Sequence, residues 1–453
     1  MSISSDDRVR PDLKVRPSSF TTSFTLSRRT SFTPERRTSF TLSRRTSFTP
    51  ERRTFRSGVG LGVLLCGLAL TATGFAQDWQ PVIAQLRDGG AGKRIEALKK
   101  LSDAGYGAAA EYVAPLVTDP DDNVQFAAID AELTFFLVEP IGERKGLGST
   151  RSRAQEAFDA GPLVRAAAPA PAVVIDHLIT ATADRNARIR FDALHALGVI
   201  AQAPLGTDET RRLLAGLQHS DPVMRTATAR VLGRLRAVGA GDALVLALND
   251  PSDLVQEYAS DALGLVRNDR AVQALTDRVN YYGKGPMANA GLLALSRIAY
   301  ASSRDLFRAR LADADPDARR AAVEGVGRLR DRASIDRVRT LAQSDPSSVV
   351  RLAGFFALDR LGEPQIAGIT VSLGQPVIGA QARDYLLETG PTAAPAVAAA
   401  IAKATDAGAR AELIHLLGYI GGAADTRTIE PLAKDPDARV ARAAVNALAR
   451  LRR

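Results

Sequence analysis

The stretch DPDARVARAAVNALARL, residues 435–451, decides the fold. Within it Val440, Ala443, Ala444, Ala447, Leu448 and Leu451 recur at i, i+3, i+4, i+7, i+8 and i+11, which is one apolar stripe along a helix. Arg439, Arg442, Asn446 and Arg450 fall on the other face. Upstream, Ile429 and Leu432 mark a shorter helix, as Ile335, Val338 and Leu341 do in another copy. Between the two helices stands Asp435-Pro436. The Asp is expected to cap the second helix, with Pro in its first turn, where a missing N–H forfeits no hydrogen bond. Pro also halts the helix before it.

The pattern repeats. Asp-Pro recurs at Asp119, Asp221, Asp250, Asp315, Asp345 and Asp435, at intervals of 102, 29, 65, 30 and 90 residues. These lie near multiples of about 31, a period of the size found in helical repeat arrays. Degenerate copies start near Asp88, Asp184, Gly283, Gln375 and Asp406, giving about eleven units over 88–453. Neither helix of a unit buries its stripe alone, and stacking neighbours solves this. The expected fold is all-α: a right-handed α-solenoid of about eleven helix–turn–helix repeats over 77–453. Second helices often carry a Gly step, as at Leu197-Gly198, Leu232-Gly233, Leu263-Gly264, Val326-Gly327, Leu361-Gly362 and Leu417-Gly418. Glycine there permits close backbone approach or a left-handed cap.

Asp-Pro, then Val-Arg or Ala-Arg, then alternating Ala and Leu-Gly resembles the HEAT family. The short form of the unit is similar to the HEAT-like repeats of phycobilisome lyases. The clearest copies are 315–329 (DPDARRAAVEGVGRL), 345–362 (DPSSVVRLAGFFALDRLG) and 435–451. The resemblance implies hydrogen bonds between Asp and the following Arg linking neighbouring repeats, and Asp184 with Arg190 and Asp345 with Arg351 match that spacing. Gln125 and Gln256 replace Arg, so an interrupted ladder is expected there.

The N-terminal part reads differently. Residues 22–37 (TSFTLSRRTSFTPERR) are repeated without change at 38–53. A Ser/Thr/Arg-rich segment with few aliphatics cannot offset its ordering entropy, so 1–51 is expected to be a disordered tail or translated DNA ahead of the true start. Next come a basic stretch at 52–57, the apolar run Gly58–Ala76, and small Gly74 and Ala76 before Gln77. This is the pattern of a signal peptide over 52–76, cut after Ala76. The run is short for a membrane span, so no stable span is expected after cleavage. Arg52-Arg53-Thr54-Phe55 also resembles the twin-arginine export motif. Leu65 before Cys66 argues against a lipoprotein signal. The expected location is periplasmic or secreted.

Charge agrees with this division. The chain of 453 residues carries a formal +9. Residues 1–76 hold thirteen Lys and Arg against five Asp and Glu, leaving 46 basic and 45 acidic residues that nearly cancel. The repeats therefore lack the electrostatic footprint of a nucleic-acid binder. One Cys excludes a disulfide framework. The four histidines are followed by Leu178, Ala196, Ser220 and Leu416, so the paired His-Glu dipeptides of deoxyhypusine hydroxylase, a di-iron enzyme on a similar scaffold, are absent. His195 and His415 are expected to be packing residues. No P-loop, dinucleotide fingerprint or nucleophile elbow occurs, and no cofactor is expected.

Two departures from the period are candidate binding elements. Residues 139–168 interrupt it, and insertions in solenoids map to loops on one face; Arg144 and Lys145 are the candidates there. In NYYGKGPM (280–287), Tyr281, Tyr282 and Lys284 put aromatics and a cation at a turn where Asp-Pro is replaced. The sequence thus predicts an exported, non-catalytic scaffold or adaptor. Its protein or peptide partner would lie on the surface lined by second helices, along an array roughly 100 Å long at a spacing of about 8–10 Å per layer. The alternative is a HEAT-like oxidoreductase or lyase-type accessory protein.

Overall fold

The computed structural model describes residues 78–138 and 151–453, all within the compact unit Gly62–Arg453. Among them no strand forms beyond one antiparallel bridge, Leu137 with Arg165. The protein is an all-α solenoid of helical repeats. Eleven second helices are present among the described residues: α1 Ala91–Asp103, α2 Asp122–Phe136, α4 Ala187–Ile200, α5 Pro222–Arg234, α6 Asp253–Val266, α7 Pro286–Ile298, α8 Pro316–Arg328, α9 Ser348–Leu361, α10 Gly379–Thr389, α11 Ala407–Ile420 and α12 Ala438–Leu451. An extra helix, α3 Arg153–Asp159, interrupts the series. Each second helix follows a shorter first helix, such as Gly241–Ala247 or Ile335–Ser344. Most pack on their own first helix and on the next second helix, so one apolar core runs through the array.

Asp-Pro plays two roles, not the single capping role expected of it. In Asp221-Pro222 and Asp315-Pro316 the Asp is the N-cap, accepting from the N–H of Val223 or Asp317, and Pro is the first helical residue. At Asp119, Asp250, Asp345 and Asp435 the pair stands two residues earlier. There the carboxylate accepts from the N–H two residues on (Asp121, Ser252, Ser347, Asp437), and those residues occupy the cap position.

In the earlier register the carboxylate takes an Arg of the preceding repeat, whereas the N-cap Asp315 takes Asn289. Arg225 donates to both oxygens of Asp250 at 2.7 and 2.8 Å, and Arg319 to both of Asp345 at 2.8 and 2.9 Å. Arg94 reaches Asp119 at 2.9 Å. The rung joins the Arg of one repeat to the Asp of the next. Asp345 and Arg351, and Asp184 and Arg190, are bonded differently: each Arg donates to the main-chain carbonyl of its own Asp, at 2.6 and 2.7 Å. Gln125 does not interrupt the ladder, because its amide donates to Asp184 at 3.0 Å. Gln256 does alter it: its amide turns back to the Asp250 carbonyl, and its oxygen takes Arg278 of the next first helix.

The glycine steps serve close approach. A Cβ on Gly233, Gly327 or Gly418 would stand 2.7–2.8 Å from the Cα of Ala262, Ala357 or Ala447 on the following second helix. Gly362 is the left-handed cap, at φ +101°.

Candidate functional site

The surface lined by second helices, expected to be the binding face, is partly covered by the chain itself. Helix α10 leaves the stack and packs little against α9. Its Glu388 accepts from Arg328 of α8 at 2.9 Å, with Arg360 of α9 at 3.4 Å and Arg267, the residue capping α6, at 3.5 Å. On a straight stack α6 and α10 would be about 35 Å apart at 8–10 Å per helix. One carboxylate meets all three arginines because α6 to α9 curve around α10.

A turn earlier, Glu324 of α8 is fully buried between Arg320 and Arg328, both at 2.9 Å, and accepts from the Tyr385 hydroxyl of α10 at 2.5 Å. Burial alone would raise the Glu324 carboxyl, but the two guanidiniums and the Tyr385 hydroxyl outweigh it and hold the pKa at about 2. Burial and the adjacent carboxylate push the Tyr385 phenol up. Tyr385 also stacks on Phe356 of α9 at 4.3 Å. Such a cluster locks α10 in place: both charged oxygens and the phenol have partners, and none is left to attack or to shuttle a proton.

Helix α3 lies against the array in the same way. Phe158 packs against Gly198 of α4 and edge-on to His195 at 5.2 Å. The Arg234 guanidinium sits 3.7 Å over the Phe158 ring, and Arg230 pairs with Asp159 at 2.7 Å. Residues 151–168, expected as a loop on one face, are thus an ordered packing element. Beyond α3, residues 162–167 meet the last repeats. Tyr419 donates to the Pro162 carbonyl at 2.6 Å, Arg450 to the Arg165 carbonyl at 2.7 Å, and the Ala167 N–H to Asn446 at 2.6 Å. The same segment pairs with the end of α2 through Val138 N–H to Val164 at 2.8 Å. The stretch after the second repeat therefore clasps the eleventh, in place of an extended array.

His195 and His415 are packing residues. His195 Nδ1 lies 2.8 Å from the Phe191 carbonyl, and burial holds its pKa at about 4; burial does the same to His415. Glu132 of α2 is fully buried with no hydrogen-bond partner on either oxygen, and burial pushes its carboxyl well up.

The candidate partner residues separate. Arg144 and Lys145 lie outside the described residues, as do the tandem repeats 1–51 and the segment 52–76. Tyr281 is the penultimate residue of the first helix before α7 and is 83% exposed. Tyr282 is half-buried, its ring under Arg278 at 5.0 Å. Lys284 is exposed. Sequence reasoning missed Val223 and Leu254, exposed apolar residues at the same register of α5 and α6, two before the ladder position.

It also missed Glu324 and the role of the register that holds it. Five residues past the ladder position, the repeats hold Asp130, His195, Arg230, Asp261, Ala294, Glu324, Phe356, Leu386, His415 and Asn446. The register changes in charge and size from repeat to repeat, and that variation was the available signal.

Residues 210–281 and 288–364 match the family model of HEAT repeats. Those stretches are HEAT repeats. No curated protein matches the chain. Among solved structures, an engineered protein is 16% identical, covers 83% of this chain and 99% of its own, and has a TM-score of 0.34. The complex of CpcE and CpcF of phycocyanin lyase from Nostoc is 15% identical over 71% of this chain and 98% of that one, with a TM-score of 0.29. Human deoxyhypusine hydroxylase is 20% identical over 54% and 96%, with a TM-score of 0.29. Among the described residues no group of three or more His, Cys, Asp and Glu is disposed to hold a metal ion, and no helix is long and apolar enough to cross a membrane.

Proposed function

We propose that this chain is an exported, non-catalytic scaffold that binds a protein or peptide partner along the edge carrying Val223, Leu254, Tyr281 and Lys284. The supporting observation is where apolar surface is left uncovered. Among the exposed large hydrophobic residues of those described, Val223, Leu254 and Tyr281 lie at the starts of second helices or in the helix end just before one. Clustered exposed apolar side chains mark interaction surfaces, whereas scattered ones need no explanation. Val223 and Leu254 begin adjacent second helices, and Tyr281 stands at the corresponding turn of the next repeat, so the three follow one edge. Tyr is a frequent binding anchor. The chemistry suits a segment with apolar side chains and a carboxylate for Lys284. Export rests on the basic, apolar and small-residue pattern of 52–76.

The test is capture from a cell-envelope fraction by the mature chain and by a Val223→Ser, Leu254→Ser, Tyr281→Ala variant. A partner held by the parent and lost by an equally helical, equally stable variant is the expected result. Capture of the same partner by both, or of none by the parent, overturns the assignment. N-terminal sequencing of the mature protein is expected to start at Gln77, and a chain retaining residues 1–50 in the cytoplasm refutes export.

A further inference from the structure

The register that holds Glu324 belongs to a trio of residues that occurs twice at the same spacing. In α8 it reads Arg320, Glu324 and Arg328; in α12 it reads Arg442, Asn446 and Arg450. The α8 trio is neutralised: Glu324 takes both of its arginines at 2.9 Å, and Arg328 also meets Glu388 at 2.9 Å. The α12 trio has an amide in place of the carboxylate. Asn446 accepts from the Ala167 N–H of the clasp at 2.6 Å. Arg450 donates to the Arg165 and Ala166 carbonyls at 2.7 and 3.1 Å and lies 3.9 Å over the Tyr419 ring. None of these partners is an anion, and the clasp brings a further cation, Arg165, whose charge acts on Arg450. The arginines register the difference. Burial acts to lower the Arg328 guanidinium, and Glu324 and Glu388 outweigh it. Burial lowers Arg450 too; Tyr419 is opposed there by Arg165 and Arg453, and no Asp or Glu acts on it.

Arg165 and Arg442 are half-buried, and neither guanidinium makes a hydrogen bond or ion pair among the described residues. Only Arg165 Nη1 and Arg442 Nε are sealed from water, so their other N–H groups are open to it. Arg442 and Arg450 are about 12 Å apart along the helix, a separation that Arg320 and Arg328 close on one carboxylate. Like charges gathered at a seam repel one another, and an anion between them removes that cost. The planar fork of a guanidinium fits the oxygens of an oxyanion. Three cations against no acid match a doubly charged group better than a single carboxylate. We propose that the seam between 162–167 and α12 binds a phosphate or sulfate group, held by Arg165, Arg442 and Arg450 in the role that Glu324 plays in α8. The inference is independent of the partner surface at 223–300, which lies on other repeats.

The probe is inorganic phosphate at neutral pH, titrated into the full mature chain and followed by phosphorus NMR, with chloride at matched ionic strength as the control. Saturable binding of phosphate is expected, with a rise in melting temperature that chloride does not give. Arg442→Gln, which breaks no hydrogen bond of the clasp, should weaken phosphate about tenfold or more, the size of one charge-assisted hydrogen bond. In phosphate-free buffer it should melt no lower than the parent, because it removes a repelling charge. Asn446→Glu rebuilds the α8 arrangement, so it should raise the melting temperature without phosphate and abolish phosphate binding. An Asn446→Glu chain that melts lower and still binds phosphate overturns the assignment. Should that variant fail to fold, Arg165→Gln is expected to weaken phosphate as Arg442→Gln does, and unchanged affinity in both overturns it. A capped phosphoserine tripeptide separates the sources: weaker binding than phosphate assigns the site to a free ion, and much tighter binding assigns it to a phosphorylated protein segment. No saturation at concentrations on the order of 10 mM, or an equal response to chloride, overturns the proposal.

Discussion

Replacing Glu324 by Gln tests whether α10 is held on the concave side by charge. Gln keeps an acceptor for the Tyr385 hydroxyl at 2.5 Å but removes the charge between Arg320 and Arg328. The carboxyl moves from an ordinary 4.5 to about 2 on folding. At about 1.4 kcal/mol per unit, that shift corresponds to about 3 kcal/mol. Breaking a buried ion pair by removing one partner costs about 3–5 kcal/mol, since the remaining charge stays buried. The two routes agree, so a loss of about 3 kcal/mol is expected. Arg328 retains Glu388, which keeps the cost at the lower end. Hydrogen exchange should show 379–389 losing protection while α12 keeps it, because α12 is held by α11 and by residues 162–167 and makes no contact with the Glu324 cluster. Urea titration gives the magnitude, and a cycle with Tyr385→Phe gives the coupling across the curve. A loss under about 1 kcal/mol, with 379–389 still protected, would show that apolar packing around Phe356 holds the helix and would refute the electrostatic account.

Three further outcomes follow from single side chains. Glu132 stands in the register held by Leu101, Leu197, Leu232, Leu263, Leu358, Leu417 and Leu448; Glu132→Leu is expected to stabilise the protein by about 1–3 kcal/mol at neutral pH, read by urea titration, and destabilisation would mean the carboxyl has a partner there. Arg450→Ala removes the donor to the Arg165 and Ala166 carbonyls, so it should cost about 2–3 kcal/mol and speed exchange at 164–166. His195 and His415 have folded pKa values depressed to about 4 from 6.5. The unfolded chain therefore binds more protons between these values, and stability falls as pH drops from 6.5 to 4. Glu324 acts in the same direction but only below about 4.5, toward about 2. A His195→Phe, His415→Leu variant should flatten the melting temperature between pH 6.5 and 4.5; parallel curves would assign the acid sensitivity elsewhere.

The sequence by itself determined the repeat, its period and its count. The reason is local: a 3.6-residue apolar stripe, a Pro that ends one helix, and a second stripe that needs a neighbour are all written within thirty residues of one another. Leu448 is buried in the structure because its own helix dictates it. The same locality explains what was misread. Asp250 and Asp221 look alike in Asp-Pro, yet the first takes an Arg of the preceding repeat and the second caps its own helix, a two-residue offset in helix start that the dipeptide does not reveal. The path of α10, the docking of α3 and the clasp at 162–167 were decided by tertiary structure alone. They join residues 60, 71 and 279 positions apart. Asn446 and Arg450 fall on the face opposite the apolar stripe, and a backbone segment with carbonyls and an N–H to satisfy arrives there. Curvature is a small angle summed over many interfaces, and no single repeat encodes where the sum brings two surfaces together.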